Sequence, residues 1–98
     1  MFARITPFKM KPGSRKEAEA IMARVKDQIM GLQGMQHFLC TMNDDGSGYI
    51  VSLVSSKDDL EANKPRVKEI WGNFADLLEA QPKPEGFEVV EEWVKETA

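Results

Sequence analysis

The stretch Asn43-Asp44-Asp45-Gly46-Ser47-Gly48 constrains this chain more than any other. Its residues tolerate positive φ or hydrogen-bond their own backbone. Runs with strand character lie on both sides, Gly34 to Met42 before it and Tyr49 to Ser55 after it. Two such runs joined by a short loop with glycine predict a β-hairpin. Each half then continues outward through a helix to a further strand, so the predicted order is βαββαβ.

The outer elements follow from periodicity. Phe2 to Met10 alternates as a strand, with Phe2, Phe8 and Met10 on one face, Arg4 and Thr6 between them, and Ala3, Ile5 and Pro7 on the other. Pro7 cannot donate to a ladder, so it is expected at a bulge or an unpaired position. Ser14 and Glu17 have capping-box spacing. Ala18, Ile21, Met22, Val25, Ile29 and Leu32 then form the buried stripe of a first helix. Met35 to Met42 is the second strand. Its Met35, His37, Leu39 and Thr41 are expected on one face and Gln36, Phe38, Cys40 and Met42 on the other. Ser56 and Asp59 repeat the capping-box spacing. Pro65 predicts a short helix over Lys57 to Asn63 and a kinked restart running to about Ala80. Val67, Ile70, Trp71, Phe74, Leu77 and Leu78 make its apolar stripe. Phe87 to Val94 is the last strand, and Lys95 to Ala98 a frayed tail.

Two strand–helix–strand units, each closed by a right-handed crossover, interleave when a hairpin joins them. The product is an α+β, ferredoxin-like fold: a four-stranded antiparallel sheet with both helices on one face. The other face should then be polar. Here both faces of the second and third strands carry apolar groups, with Tyr49, Val51 and Leu53 on one face of the third strand and Ile50 and Val54 on the other, so the free face is not polar enough. A second copy of the same sheet is the simplest cover, so the expected assembly is a homodimer through the open sheet face.

Composition narrows the function. The 98 residues are expected to form one domain, 1–98. A chain this short buries only about two thirds of its unfolded surface, which dimerisation would supplement. A net charge of −3 gives no electrostatic reason to expect nucleic acid. No apolar run approaches the ~20 residues of a membrane span, and Met1-Phe2-Ala3-Arg4-Ile5 lacks the pattern of a signal peptide. One cysteine, Cys40, permits no internal disulfide and fits a reducing cytoplasm. One His and one Cys exclude a closed zinc site within the chain. There is no Cys-x-x-Cys near the first loop, no Gly-rich phosphate loop, and no run of aromatic and basic residues on the central strands suited to RNA.

Several segments together resemble the antibiotic biosynthesis monooxygenase-like family of dimeric α/β barrels. They are Phe2-Ala3-Arg4-Ile5-Thr6 leading into Lys11-Pro12-Gly13, Gly34-Met35 entering the second strand, the third strand leading into Ser56-Lys57-Asp58-Asp59-Leu60-Glu61-Ala62-Asn63, and the closing strand after Pro84. The resemblance implies two sheets packed face to face across a two-fold axis, forming a dimeric α/β barrel. It also implies a pocket between sheet and second helix for a small, mostly apolar or aromatic molecule, and cofactor-independent oxygenation as the reaction class. The chain departs from the family pattern at Val54, where members often carry tryptophan, and at Asn63, where many carry histidine. Without a histidine in the second helix, the haem chemistry of some relatives is not expected, and no cofactor is assigned.

Six residues are candidates for the site, each with a bland alternative. His37 alone titrates near neutrality without perturbation, and is either a general base or a hydrogen-bonded strand histidine. Asn63 either orients a ligand carbonyl or caps locally before Pro65. Arg4 interrupts an apolar face and either binds an anionic group or pairs with Glu91 or Glu92. Trp71 and Phe74 are either the apolar wall of a pocket or core. Tyr49 is either a rim aromatic or a proton donor. Cys40 is expected to be a small core residue.

Overall fold

The structure, a computed structural model, describes residues 1–96. Six elements follow one another: β1 (Phe2–Lys9), α1 (Arg15–Met30), β2 (Met35–Met42), β3 (Ser47–Val54), α2 (Lys57–Gly72) and β4 (Glu85–Glu88). The sheet is antiparallel with strand order β2-β3-β1-β4. Phe8 and Met10 at the end of β1, Ala18, Val25 and Ile29 of α1, and Ile70 of α2 bury together in one core, which places both helices on one face. This is the ferredoxin-like arrangement expected from the pattern.

The hairpin turn is held by its own polar groups. Asp45 accepts hydrogen bonds from the Ser47 amide at 2.9 Å and the Ser47 hydroxyl at 2.6 Å. These two bonds draw the Asp45 carboxyl below its ordinary range. Gly46 takes φ +92°, and its carbonyl accepts from the Met10 amide at 2.8 Å. The turn is thereby tied to the end of β1.

Several expectations are corrected. Pro7 stands in register opposite Tyr49 with no bulge. β4 flanks β1 only from Phe2 to Ile5, so at Pro7 the strand has a neighbour on one side, where proline is tolerated. The irregularity lies instead in β2, between Met35 and His37. It pairs Met35 with Val54 and turns Met35 to the core, where it packs beside Phe38 and Met42. Ser14 makes no side-chain cap; its Oγ donates to the Lys11 carbonyl at 2.7 Å.

The second helix is continuous through Pro65 and ends eight residues before Ala80, at Gly72. Asn73 stops it there, its side-chain amide donating to the Ile70 carbonyl at 3.1 Å. β4 is four residues long, not eight. Its register places Glu88 opposite Phe2, and the last pairing contact is Val89 N–H to the Met1 carbonyl. β1 itself starts at Phe2, so the paired stretch closes there. The expected fraying of Lys95 to Ala98 falls partly on residues 97–98, outside those described.

Ser56 does cap α2. Its Oγ accepts from the Asp59 amide at 3.2 Å. Ser56→Ala is expected to cost about 1 kcal/mol, seen as a lower urea midpoint with an unchanged slope.

Candidate functional site

Alternation along β1 sends Phe2, Arg4, Thr6 and Phe8 toward the helices. Arg4 is the only charged residue of that row and is 5% exposed. It lies opposite Ser52 of β3 and Gly86 of β4. Its Nη2 donates to the Leu60 carbonyl of α2 at 2.6 Å. Among the described residues no carboxylate forms an ion pair with it. Burial pushes the guanidinium below its ordinary value, and the Glu61 carboxylate partly opposes that shift. Glu61 itself is engaged elsewhere, 2.7 Å from Lys64 Nζ.

Arg4 borders a groove of about 920 Å³ between α2 and the segment 78–86. Leu60, Val67 and Trp71 of α2 form its apolar wall, and Phe2, Pro82, Pro84 and Gly86 face them. Lys57, Lys64 and Lys68 stand along its α2 side. Two smaller cavities lie between the helices and the sheet, one of about 160 Å³ beside α1 and one of about 40 Å³ between α1, α2 and the sheet. Trp71 borders all three spaces. Its ring meets Phe8 at 5.9 Å and Phe74 at 5.8 Å, the tilted contacts that aromatic quadrupoles favour. Its indole N–H has no hydrogen-bond partner among the described residues, and no buried side-chain nitrogen is stranded. That N–H is therefore not sealed in the core.

The structure brings together three of the six candidates. Arg4 and Trp71 line the groove, and both line the smallest cavity with Phe74. Asn63 is buried, but both ends of its amide are occupied. Its Oδ1 accepts from Gln33 N–H at 2.9 Å and its Nδ2 donates to the Gln33 carbonyl at 2.9 Å. It clamps α2 to the turn after α1, and is neither a cap before Pro65 nor a group facing the groove. His37 and Tyr49 project from the opposite face of the sheet. His37 lies 3.5 Å from Glu92, and Tyr49 is 56% exposed. His37 and Asn63 share no cavity among the described residues.

Two further expectations fail. Arg4 does not pair with Glu91 or Glu92, because the chain after β4 runs to the other face of the sheet. Cys40 is exposed, not core, although it borders the 160 Å³ cavity; the surroundings that withdraw it from water raise its thiol pKa. Leu60, Lys64 and Gly86 were not singled out from the sequence. The α2 series 57, 61, 64, 68 and 71 recurs at helical spacing, and that periodicity is the signal that would have found the groove's α2 side.

Among the described residues no group of three or more His, Cys, Asp or Glu side chains is placed to hold a metal ion. No described helix is long and apolar enough to cross a membrane.

No family model matches the chain, and no curated protein matches its sequence. Solved structures match its fold over almost its whole length. An antibiotic biosynthesis monooxygenase-like structure from Nitrosomonas europaea superposes with a TM-score of 0.76 at 14% identity, covering 93% of this chain and 100% of the other. The chain has the antibiotic biosynthesis monooxygenase-like fold. A monooxygenase from the gene ActVA-Orf6 of Streptomyces coelicolor, in complex with the ligand nanaomycin D, matches with a TM-score of 0.74 at 18% identity, covering 97% and 92%. A protein of unknown function from Nitrosomonas europaea matches at 0.77 and 14%, covering 98% and 95%. At these identities the likeness to antibiotic biosynthesis monooxygenase-like structures is one of fold.

Proposed function

We propose that this chain is a cytoplasmic small-molecule-binding homodimer whose ligand occupies the groove under α2. The carrying observation is the groove itself: an apolar wall of Leu60, Val67 and Trp71 beside one buried, unpaired cation, Arg4. A concave, mostly apolar space with few polar groups is the usual form of a small-ligand site. The ligand class is a small apolar or aromatic molecule. The reaction class is cofactor-independent oxygenation of an electron-rich phenol or enol, the class the sequence resemblance implies; a structural match that is a monooxygenase supports the oxygenation. Trp71 and Phe74 would wall the substrate and exclude water.

A second reading, binding without turnover, is favoured by two placements. Asn63 is committed to the Gln33 backbone, and His37 lies on the far face of the sheet. Oxygen uptake with a panel of dihydroxynaphthalenes separates the two. Uptake that saturates with substrate, and falls at least tenfold in Trp71→Ala, supports catalysis. Saturable binding with no uptake supports the second reading. No binding by any member of the panel removes both.

The homodimer rests on the open face. Leu39, Tyr49 and Phe87 are exposed there, and Val90 and Trp93 beyond β4 are each 87% exposed. Ala3, on the same face, is buried. Glu92 reaches His37 on β2, at the far edge of the sheet from β4. The segment after β4 therefore lies across this face, with its large apolar side chains turned outward. A second copy would cover them. Light scattering is expected to give a dimer for the native chain and a monomer for Leu39→Glu, since a desolvated unpaired carboxylate is costly at an interface. A native chain that stays monomeric at high concentration would overturn the assembly.

A further inference from the structure

We infer that the groove's ligand is an amphipathic anion, its carboxylate held on Arg4 and its apolar body laid against Trp71. This rests on the groove being the ligand site, as proposed above, and specifies what enters it. Arg4 carries five N–H donors and gives one nitrogen to the Leu60 carbonyl. No buried side-chain nitrogen among the described residues lacks a partner. The nitrogens that Leu60 does not take up therefore reach open space, and the space Arg4 borders is the groove and the small cavity beneath it.

A carbonyl oxygen does not neutralise a guanidinium. A buried charge with no counter-charge is unfavourable, and an anion that pairs with it offsets that cost. The acidic side chain whose charge acts on Arg4 does not supply the pair: Glu61 is engaged by Lys64 at 2.7 Å. Glu79, which also lines the groove, lies 3.8 Å from Lys9. Gly86 stands beside Arg4 in the sheet, and a β-carbon there would press on Leu60 and Phe2 at 2.9 Å. Its missing side chain keeps the groove wall low next to the guanidinium. A planar carboxylate matches the two-pronged geometry of arginine, and the lysines along α2 attract an anion to the groove mouth.

Isothermal titration with a matched pair, 2-naphthoate and 2-naphthamide, tests the inference. The two ligands share shape and apolar area and differ in charge. The native protein is expected to bind the carboxylate at least about tenfold more tightly, the scale of a charged hydrogen bond. Arg4→Met is expected to bind both within about twofold, and Lys64→Gln to keep most of the preference. Arg4→Lys, which retains charge without the fork, is expected to fall between. It also decides the matter should Arg4→Met fail to fold. Equal affinities in the native protein would overturn the anion while leaving the groove as a site. A preference that survives both Arg4 variants would assign it to another cation and overturn the role of Arg4. Failure of both ligands to bind would overturn the anion and the groove together.

Discussion

Gly46→Ala is expected to lower stability by about 3 kcal/mol or more. Two costs add. Gly46 has φ +92°, in the region that L side chains rarely adopt, and a left-handed conformation costs a non-glycine residue about 1–2 kcal/mol. The added β-carbon would also run into the Met10 carbonyl and crowd the Lys11 carbonyl. These are backbone atoms, fixed by Met10 N–H to Gly46 C=O and by Lys11 N–H to Leu77 C=O, each at 2.8 Å. Neither can yield without opening the join between the turn, β1 and the chain after α2. In a domain of this size such a loss lowers Tm by roughly 12 °C or more. Gly13→Ala is the control. Gly13 also has positive φ, at +80°, but a β-carbon there meets nothing within 4 Å. It is expected to cost only the conformational part, about 1 kcal/mol. Equal losses at the two sites would mean that the collision at Met10 is relieved.

Asn63→Leu is expected to destabilise by about 3 kcal/mol and to leave ligand discrimination unchanged in whatever fraction remains folded. Asn63 is 2% exposed, and its amide answers both the N–H and the C=O of Gln33. Leucine fills much the same volume, so little cavity forms. The loss is that of two hydrogen bonds, with the Gln33 amide and carbonyl left to find water at a partly buried turn. Each such group costs about 1–3 kcal/mol when stranded. Asn63→Asp separates the two bonds: it keeps the acceptor for Gln33 N–H and sets a carboxylate oxygen against the Gln33 carbonyl. Chemical denaturation of the three proteins checks the ranking, native above Asp and Leu. A near-native midpoint for Asn63→Leu would show that the clamp contributes little.

The fold was legible because local signals agreed. The hairpin residues at 43–48, the capping spacing at Ser56 and the apolar stripe of α1 point to the same architecture. What escaped the sequence was decided by tertiary partners. The irregularity after Met35 depends on pairing with β3, and the stripe 35, 37, 39, 41 cannot show that one of its members turns inward. Pro65 carries a real helix penalty, yet α2 is long and buries Leu60, Asn63 and Ile70 on either side of it. That packing holds the helix together through the proline. β4 was predicted too long because Val89, Val90, Trp93 and Val94 have strand character, and nothing local reveals where the neighbouring strand ends.

The site divides in the same way. Arg4 stood out as a charge on an apolar face, and Trp71 as a large aromatic on a stripe. Those contrasts survive folding, and both residues line the groove. His37 and Asn63 offer chemistry but no such contrast with their neighbours. An imidazole on an alternating strand has an even chance of either face, and an amide in a helix shows its partner only once the Gln33 turn is placed beside it.

The two tryptophans sit at opposite ends of the functional question. Trp71 is half-buried among Phe8, Phe74 and the three cavities, while Trp93 is almost wholly in water, its indole N–H held by Glu91 at 2.8 Å. Their emission should therefore be resolved by colour, bluer from the first and redder from the second. The native chain thus carries two optical channels. Quenching in the blue channel follows occupancy of the groove, and a blue shift in the red channel follows association of two copies. Single Trp→Phe variants assign each channel, so whether ligand tightens the dimer can be followed in one cuvette without a label.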